Sequence, residues 1–428
     1  MNNRKRTLAL LVIAGGIPAL AWALPGAAAP GDPTDPGTAP IPVYDYSDPG
    51  KSFLVGLDFH TTTATLVDAQ VGSQRSYSHL GDPPLLKLRL LNADGSERSQ
   101  VNSWDPRWVF VEGTGHDESM VMMDRTDTLT MPFDADGATL VVDDQQAGST
   151  LTTVDLRPAV HDYCSDNPTA PECLVADLAV TTLTTSATPL GLVGTAVTVT
   201  LATTVANLGP DTPVDASGSI TATGDSGLTV TPGSYAARWP ALATGSPQDR
   251  TDTVQATCTK PGTSAFSAMA DITPDAAKVI DPVASNNQRT STLTLTCAIP
   301  VQLNVRPGET KNQVNVNSGV LPMAILSTGA EYGLPLPFDA TTIDAGTLRF
   351  GTRDALLTSS GGAPEAHGRI HPEDSYEPDD KTKDGDLDAV VHARSDRLGL
   401  TPVTTELCVR GLTTSGVPFF GCDHVVPR

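Results

Sequence analysis

The chain has 428 residues, with 49 acidic and 27 basic side chains that give a formal net charge of −22. At about 100–200 residues per domain, this length predicts two to four domains. A chain this acidic lacks the density of Lys and Arg that phosphate backbones require, so we expect no nucleic-acid partner. Short segments with a period of two and no long helical stripe predict an all-β fold of tandem β-sandwich domains.

Residues 1–23 have the features of a signal peptide. The basic residues 4–6 precede an uncharged, mostly apolar run over 7–21, and small residues at 21 and 23 suit a cleavage site, with a second option within 27–29. The alternative is an uncleaved membrane anchor, but the run contains glycine and proline and is shorter than the roughly 20 apolar residues of a spanning helix. We therefore expect a secreted protein with no stable membrane span after cleavage.

Residues 24–43 are rich in proline, which predicts an extended linker. Residues 44–163 follow as a first β-sandwich domain, because apolar and polar residues alternate in several segments bounded by turn residues. The clearest alternation is at Phe53, Val55, Leu57 and Phe59, then at Leu86, Leu88 and Leu90, and at Leu129 and Met131. Trp104, Trp108 and Phe110 could form a sugar-binding platform, but we expect them to fill a core that has few other aromatics.

Six cysteines support export to an oxidising compartment. They allow 15 pairings, and domain locality favours the neighbours in sequence. The predicted disulfides are Cys164–Cys173, Cys258–Cys297 and Cys408–Cys422. The first of these would clip a second linker over 164–175. A zinc site on these cysteines is disfavoured, because the chain has no closely spaced cysteine pairs of the zinc-ribbon type.

Residues 176–298 contain seven or so short, threonine-rich segments with strand periodicity, which is the strand count of an immunoglobulin-like sandwich. The sequences ADLAV at 176–180, VANLGPD at 205–211 and DPVASNN at 281–287 resemble the bacterial Ig-like repeats of surface and secreted proteins (DUF11/CARDB type). This resemblance implies an Ig-like fold for the middle domain and says almost nothing about a ligand.

Residues 299–428 resemble a C-terminal β module of secreted bacterial proteins. The resemblance rests on VQLNVRPG at 301–308, VNVNSGVLPMAILS at 314–327, FDATTID at 338–344 and the closing segment 408–423. It implies a third β domain with an acidic loop. That family has no defined biochemical role to carry over.

The acidic loop has the spacing of a calcium site. Oxygen-bearing side chains stand at positions 1, 3, 5 and 9: Asp380, Thr382, Asp384 and Asp388. Gly385 is at position 6, and Asp386 would supply its backbone carbonyl. The pattern resembles the calcium loops of dockerin-like and propeller-blade repeats, and Ca²⁺ takes six to eight hard oxygen ligands. We therefore predict Ca²⁺ at this loop, with a weak affinity of about 10⁻⁴–10⁻³ M.

The alternative for this loop is a solvated acidic turn. Thr382 is a weaker ligand than Asn or Asp, and Lys381 and Lys383 reduce the local negative potential. Residues 375–379 also separate Glu373 and Asp374 from the loop.

Other candidate sites are weaker. Glu365, His367, His371 and His392 could hold a transition metal, but the chain has no HExxH motif, and we expect these histidines to be ordinary loop and strand residues. The sequence GDSG at 224–227 matches part of a serine-protease motif but is expected to be a turn. Paired carboxylates of a glycosidase cannot be assigned from sequence.

Two functions remain open. The favoured one is a non-catalytic, secreted protein of binding, adhesion or structural type, with an extracellular protein or polysaccharide as partner and no cofactor other than calcium. The alternative is a secreted hydrolase, or its accessory module, acting on polysaccharide or peptide.

Overall fold

A computed structural model describes residues 50–80, 84–112, 118–329, 332–358, 361–378 and 381–428. Strands account for 55% of the structure and helices for 7%, so the predicted all-β class is confirmed. The predicted signal peptide over 1–23 and the linker over 24–43 lie outside the described residues. Within those described ranges, every helix is too short or too polar to cross a membrane.

Three hydrophobic cores organise a compact unit that spans Pro49–Arg428. We call the chain around each core the first domain (50–173), the second domain (174–298) and the third domain (299–428).

The first domain is built from two sheets, a separate hairpin and one helix. Its elements are β1 (Ser52–Phe59), β2 (Ala64–Gly72), β3 (Leu85–Leu91), β4 (Glu97–Trp104), β5 (Trp108–Glu112), β6 (Glu118–Met122), β7 (Arg125–Pro132), β8 (Thr139–Asp144), β9 (Ser149–Asp155) and α1 (Arg157–Asp166). The sheets have the orders β2-β1-β7 and β4-β3-β8-β9, and β5 pairs with β6. The alternating residues of β1 and β3 point into one core, as their period of two predicts.

Helix α1 brings the expected linker over 164–175 into this core. Ala159, Val160 and Cys164 form its buried face, and Cys173 is buried in the same core. The disulfide forms as predicted, but the segment closes the first domain instead of forming a free connection, because its apolar residues pack against the sheets.

An ion-paired arginine is fully buried beneath these sheets. The guanidinium of Arg107 donates to both carboxylate oxygens of Asp105, with the shortest contact at 2.6 Å from Nη2 to Oδ2, and to Oδ2 of Asp144 at 2.5 Å. Nη1 donates to the backbone carbonyl of Thr61 at 2.6 Å. Arg107 thus ties β8 and the turn after β1 to the turn before β5.

The second domain is a sandwich with its core between two sheets. Its elements are β10 (Leu174–Ser186), β11 (Leu190–Leu192), β12 (Ala196–Pro210), β13 (Val214–Gly224), β14 (Leu228–Thr231), β15 (Ser234–Leu242), β16 (Gln248–Cys258), β17 (Gly262–Asp271), β18 (Thr273–Pro274), β19 (Val279–Ile280), a 3₁₀ turn (Ala284–Asn286) and β20 (Gln288–Pro300). One sheet has the order β14-β16-β12-β10-β19, and β15-β13-β17-β20 belong to the other. The GDSG sequence at 224–227 lies in the turn between β13 and β14, as expected.

The third domain surrounds the third core with shorter elements. They are β21 (Leu303–Val305), β22 (Gln313–Val314), β23 (Val320–Ile325), 3₁₀ turns at Ala340–Thr342 and Ala345–Thr347, β24 (Arg349–Gly351), α2 (Arg353–Thr358), β25 (His371–Glu373), β26 (Asp388–Arg394), a 3₁₀ turn (Ser395–Arg397), β27 (Glu406–Leu412), β28 (Pro418–His424) and β29 (Val426–Pro427). One sheet has the order β21-β23-β26-β25, and β22 pairs with β29.

The second and third domains share a sheet through β20. This strand pairs antiparallel with β17 over most of its length, and its last residues, Ile299 and Pro300, pair parallel with Phe419 and Phe420 of β28. The resulting sheet continues through β27 to β24. The boundary expected at residue 298 therefore falls inside a continuous strand.

The structure joins the six cysteines in the three expected pairs: Cys164–Cys173, Cys258–Cys297 and Cys408–Cys422. The second disulfide links the end of β16 to β20 and so crosses between the two sheets of the second domain. The third joins the paired strands β27 and β28.

Candidate functional site

The acidic loop connects β25 to β26, and Asp388 anchors its end. Only 1% of Asp388 is exposed. Its Oδ1 accepts the amide of Ser327 at 2.9 Å, and its Oδ2 accepts the amide of Ser375 at 3.0 Å. A carboxylate has about four acceptor positions, so each oxygen keeps one more. Asp388 therefore fixes the start of β26 against two neighbouring segments.

Asp384 and Asp386 lie on either side of a glycine turn. Gly385 has a φ of 97°, a left-handed conformation that glycine adopts without strain. Oδ1 of Asp384 accepts the amide of Asp386 at 3.0 Å. Burial, together with the charges of Asp388 and Asp384, raises the pKa of Asp386 to about 7. Asp386 thus lies within the negative field of both Asp384 and Asp388, and a cation bound beside it would relieve this repulsion.

Two carboxylate oxygens in this region are buried without a hydrogen-bond partner, namely Oδ1 of Asp386 and Oδ1 of Asp374. Asp374 directly follows β25 and precedes Ser375, whose amide contacts Asp388. The ammonium of Lys383 donates to the backbone carbonyl of Asp374 at 2.5 Å and lies 5.2 Å from the ring centre of Tyr376. The lysine therefore packs across the loop while the carboxylate oxygens remain unsatisfied.

The structure brings only some of the predicted calcium ligands close together. Asp384, Asp386 and Asp388 come together, whereas Asp380 lies outside the described residues. Thr382 is exposed, and its backbone carbonyl accepts the amide of Glu377 at 3.0 Å. Asp386 was expected to contribute its carbonyl, yet its side chain is the group left buried and unpaired.

Sequence reasoning missed Asp374, because the five residues 375–379 separate it from the loop. It also missed the amides of Ser327 and Ser375, since backbone donors carry no sequence signature. The signal that could have pointed to Asp374 is its acidic neighbour Glu373, which ends the strand paired with β26.

The four residues considered for a transition metal also come together. His367, His371 and His392 each offer a ring nitrogen, and these atoms all lie within 4.8 Å of one another. Glu365 is buried beside them. Spacing in the sequence did not predict this cluster, because it depends on strand pairing over more than twenty residues.

The expectation that Trp104, Trp108 and Phe110 fill a core is wrong. Phe110 is 61% exposed, and the two tryptophans are only half-buried. The rings of Trp104 and Phe110 stack with centres 6.3 Å apart. The core is filled instead by aliphatic residues with Phe53 and Phe59, and the short hairpin β5–β6 lies beside it as a separate two-stranded sheet.

Two cavities are outlined by the described residues. One, of about 350 Å³, lies where the second and third domains meet and includes Arg349 and Arg410. The other, of about 440 Å³, lies in the first domain and includes Tyr77 and His79. Neither lining contains an aspartate or a glutamate, so neither provides the paired carboxylates of a glycosidase.

Comparison with known proteins yields little. No protein-family profile matches the chain, and no curated protein matches it in sequence. Among solved structures, the crystal structure of red sea bream transglutaminase is similar to 75% of this chain, with 12% sequence identity and a TM-score of 0.22. The matched part covers 41% of that chain. A similarity at this score carries no argument about fold or activity.

Proposed function

We propose that this protein is an exported, multidomain β protein of binding or structural type whose third domain is stabilised by Ca²⁺. The proposed partner class is an extracellular protein or polysaccharide. The observation that carries the calcium assignment is the pair of buried carboxylate oxygens, on Asp374 and Asp386, that have no hydrogen-bond partner.

The energetics favour a cation at this loop. A buried polar atom without a partner costs about 1–3 kcal/mol, and more when the group is charged. Ca²⁺ satisfies several carboxylate oxygens at once, at bond lengths of about 2.3–2.6 Å. Asp374, Asp384 and Asp386 would supply such oxygens, and Asp388 would hold them in place or use its remaining acceptor positions.

Calcium bound here would stabilise the fold because the loop links two paired strands. β25 and β26 meet at Glu373 and Asp388, directly beside the cluster. With a Kd of about 10⁻⁴–10⁻³ M, about 10 mM calcium would stabilise the folded state by about 1.4–2.7 kcal/mol.

Thermal unfolding of the full-length mature protein tests the assignment. The melting temperature should be higher in millimolar calcium than in chelator, and magnesium at matched ionic strength should give a smaller effect, since Mg²⁺ demands near-ideal octahedral geometry. Asp386→Asn should remove the calcium effect by neutralising the unpaired carboxylate while keeping its shape.

Asp396→Asn is the matched control. Asp396 is an aspartate of the same domain that pairs with Arg394 on the surface. This variant should keep the full calcium response. If the melting temperatures in calcium and in chelator are equal, the loop is a solvated acidic turn and the calcium assignment is wrong.

Three disulfides, together with the basic and apolar start of the sequence, support export. The intact mass of protein from a culture supernatant should match a start near residue 24 or within 28–30. A mature chain that retains residues 4–6 would contradict the proposed signal peptide.

A further inference from the structure

Three histidines of the third domain converge on one face of its sheet. The ring centres of His367 and His392 are 5.0 Å apart, those of His371 and His392 are 6.0 Å apart, and those of His367 and His371 are 6.2 Å apart. Each ring offers a nitrogen within 4.8 Å of the other two. Imidazole is the commonest metal ligand among side chains, so three rings at this spacing form a candidate metal site.

Strand register places two of these residues. His371 pairs directly with Val390 in the antiparallel ladder of β25 and β26. Side chains alternate between the faces of a strand, so His392, two residues beyond Val390, lies on the same face as His371. The two histidines are therefore diagonal neighbours in a hydrogen-bonded sheet, which is a rigid platform.

Glu365 places the third histidine. Its side chain is 1% exposed, and it accepts the backbone amides of His367, Arg369 and His392 at 2.5, 3.2 and 3.1 Å. The amide of Ala366 donates to the carbonyl of His392 at 2.8 Å. These bonds attach the loop that carries His367 to the middle of β26.

The nitrogen atoms are available to a ligand. Nδ1 of His392 is buried and has no hydrogen-bond partner. A buried imidazole nitrogen without a hydrogen-bond partner costs free energy, and a metal ion bound to this ring would remove that cost.

We propose that His367, His371 and His392 form a binding site for a divalent transition-metal ion, with Zn²⁺ as its ligand. Zn–N bonds of about 2.0–2.1 Å place tetrahedral ligands about 3.4 Å apart, and small rotations of the three rings close the present spacing to this value. The ring of His367 is 48% exposed, so the fourth position opens to solvent and takes water.

Glu365 acts on the site through His367. Its Oε1 lies 3.7 Å from Nδ1 of His367, close enough to accept a hydrogen bond from that nitrogen after a small rotation. Nε2 then faces the metal. A carboxylate behind a ligating histidine fixes its tautomer and raises its basicity, so Glu365 is a positioning residue.

The zinc site does not depend on the calcium loop. Imidazole nitrogens suit Zn²⁺, whereas carboxylate and carbonyl oxygens suit Ca²⁺. β26 carries one member of each cluster, Asp388 and His392, which are four residues apart and so roughly 13 Å apart along the strand. Zinc binding can therefore be measured with the calcium loop saturated.

Titration calorimetry of the full-length mature protein, without an affinity tag and stripped of metal, tests the proposal. With millimolar calcium present, zinc chloride should bind at one ion per chain. His367→Gln, His371→Gln and His392→Gln should each weaken binding at least about tenfold, a loss that even removal of outer-shell groups produces. His424→Gln, at an exposed histidine of the same domain, should bind zinc like the unaltered protein.

Two further measurements separate ligand loss from misfolding. Each variant must melt in chelator at the temperature of the unaltered protein, and His367→Gln, on a partly exposed loop, is the substitution least able to disturb the fold. Electron paramagnetic resonance of bound Cu²⁺ should show three nitrogen ligands, and one fewer in each single variant. Zinc binding that is equal in the unaltered protein and in the triple histidine variant would overturn the proposal.

Discussion

Replacing Arg107 with methionine should destabilise the first domain strongly. The substitution keeps an unbranched apolar stem but removes a fully buried guanidinium, so Asp105 and Asp144, which are 1% and 5% exposed, lose their shared counter-charge. Removing one partner of a buried ion pair costs about 3–5 kcal/mol. The carbonyl of Thr61 also loses its donor. Asp144 keeps its bonds from two backbone amides. We therefore expect the free energy of unfolding to fall by about 3–5 kcal/mol and not by more.

The pH dependence of this loss has a definite sign. Burial raises the pKa of the Asp144 carboxyl, but hydrogen bonds from the amide of Ala147 and from Arg107 outweigh burial and hold the pKa below its ordinary value. A lowered carboxyl pKa contributes stability at neutral pH that disappears as the pH falls toward the folded-state pKa. The Arg107→Met variant already lacks much of that contribution at neutral pH. The difference between the two proteins should therefore persist from pH 7 to about pH 4 and shrink as the pH falls below that value.

The loss in free energy of unfolding can be measured for the first domain alone. Denaturant unfolding is monitored by hydrogen exchange in the strands of that domain. Arg98→Met is the control, because Arg98 pairs with Asp134 and Asp136 at a partly exposed site of the same domain. Arg98→Met should lower the free energy of unfolding by about 0–1 kcal/mol. The reasoning would be refuted if Arg107→Met lowered the free energy of unfolding by no more than the control does. It would also be refuted if the loss caused by Arg107→Met grew as the pH falls.

Two further predictions concern the other domains. Replacing Cys258 and Cys297 with alanine opens a loop of 39 residues, and chain entropy predicts a loss of about 4 kcal/mol; an unchanged denaturation midpoint would contradict this. Asp388→Ala leaves the amides of the half-buried Ser327 and the buried Ser375 without acceptors, at up to about 1–3 kcal/mol each. Hydrogen exchange should accelerate in β25 and β26 in this variant, and full protection there would argue against the anchoring role.

Alternation of apolar residues predicted the strands well where one face is buried, as in β1 and β3. Helix α1 was missed because its ten residues include a proline and only three buried side chains, too few to show a helical period. Trp108 and Phe110 were misplaced because composition alone cannot tell a core from a hairpin beside it.

The candidate sites were predictable only where their residues are close in sequence. Asp384, Asp386 and Asp388 belong to one short motif and were found. Asp374 was not, and the histidines were named as candidates but set aside as ordinary loop and strand residues. Their positions follow from the pairing of β25 with β26 and from the loop that Glu365 holds. Pairing register is a property of the whole sheet, and a local pattern does not encode it.

The passage of β20 from one domain into the next removes any hinge at that junction. Bending there would break ladder hydrogen bonds to β17 or β28 and would expose the small cluster of Ala298, Leu356, Cys408 and Phe420. The second and third domains should consequently tumble in solution as one rigid body. A ligand held by the third domain then keeps one orientation relative to the second, and a pull on one domain is transmitted directly to the other.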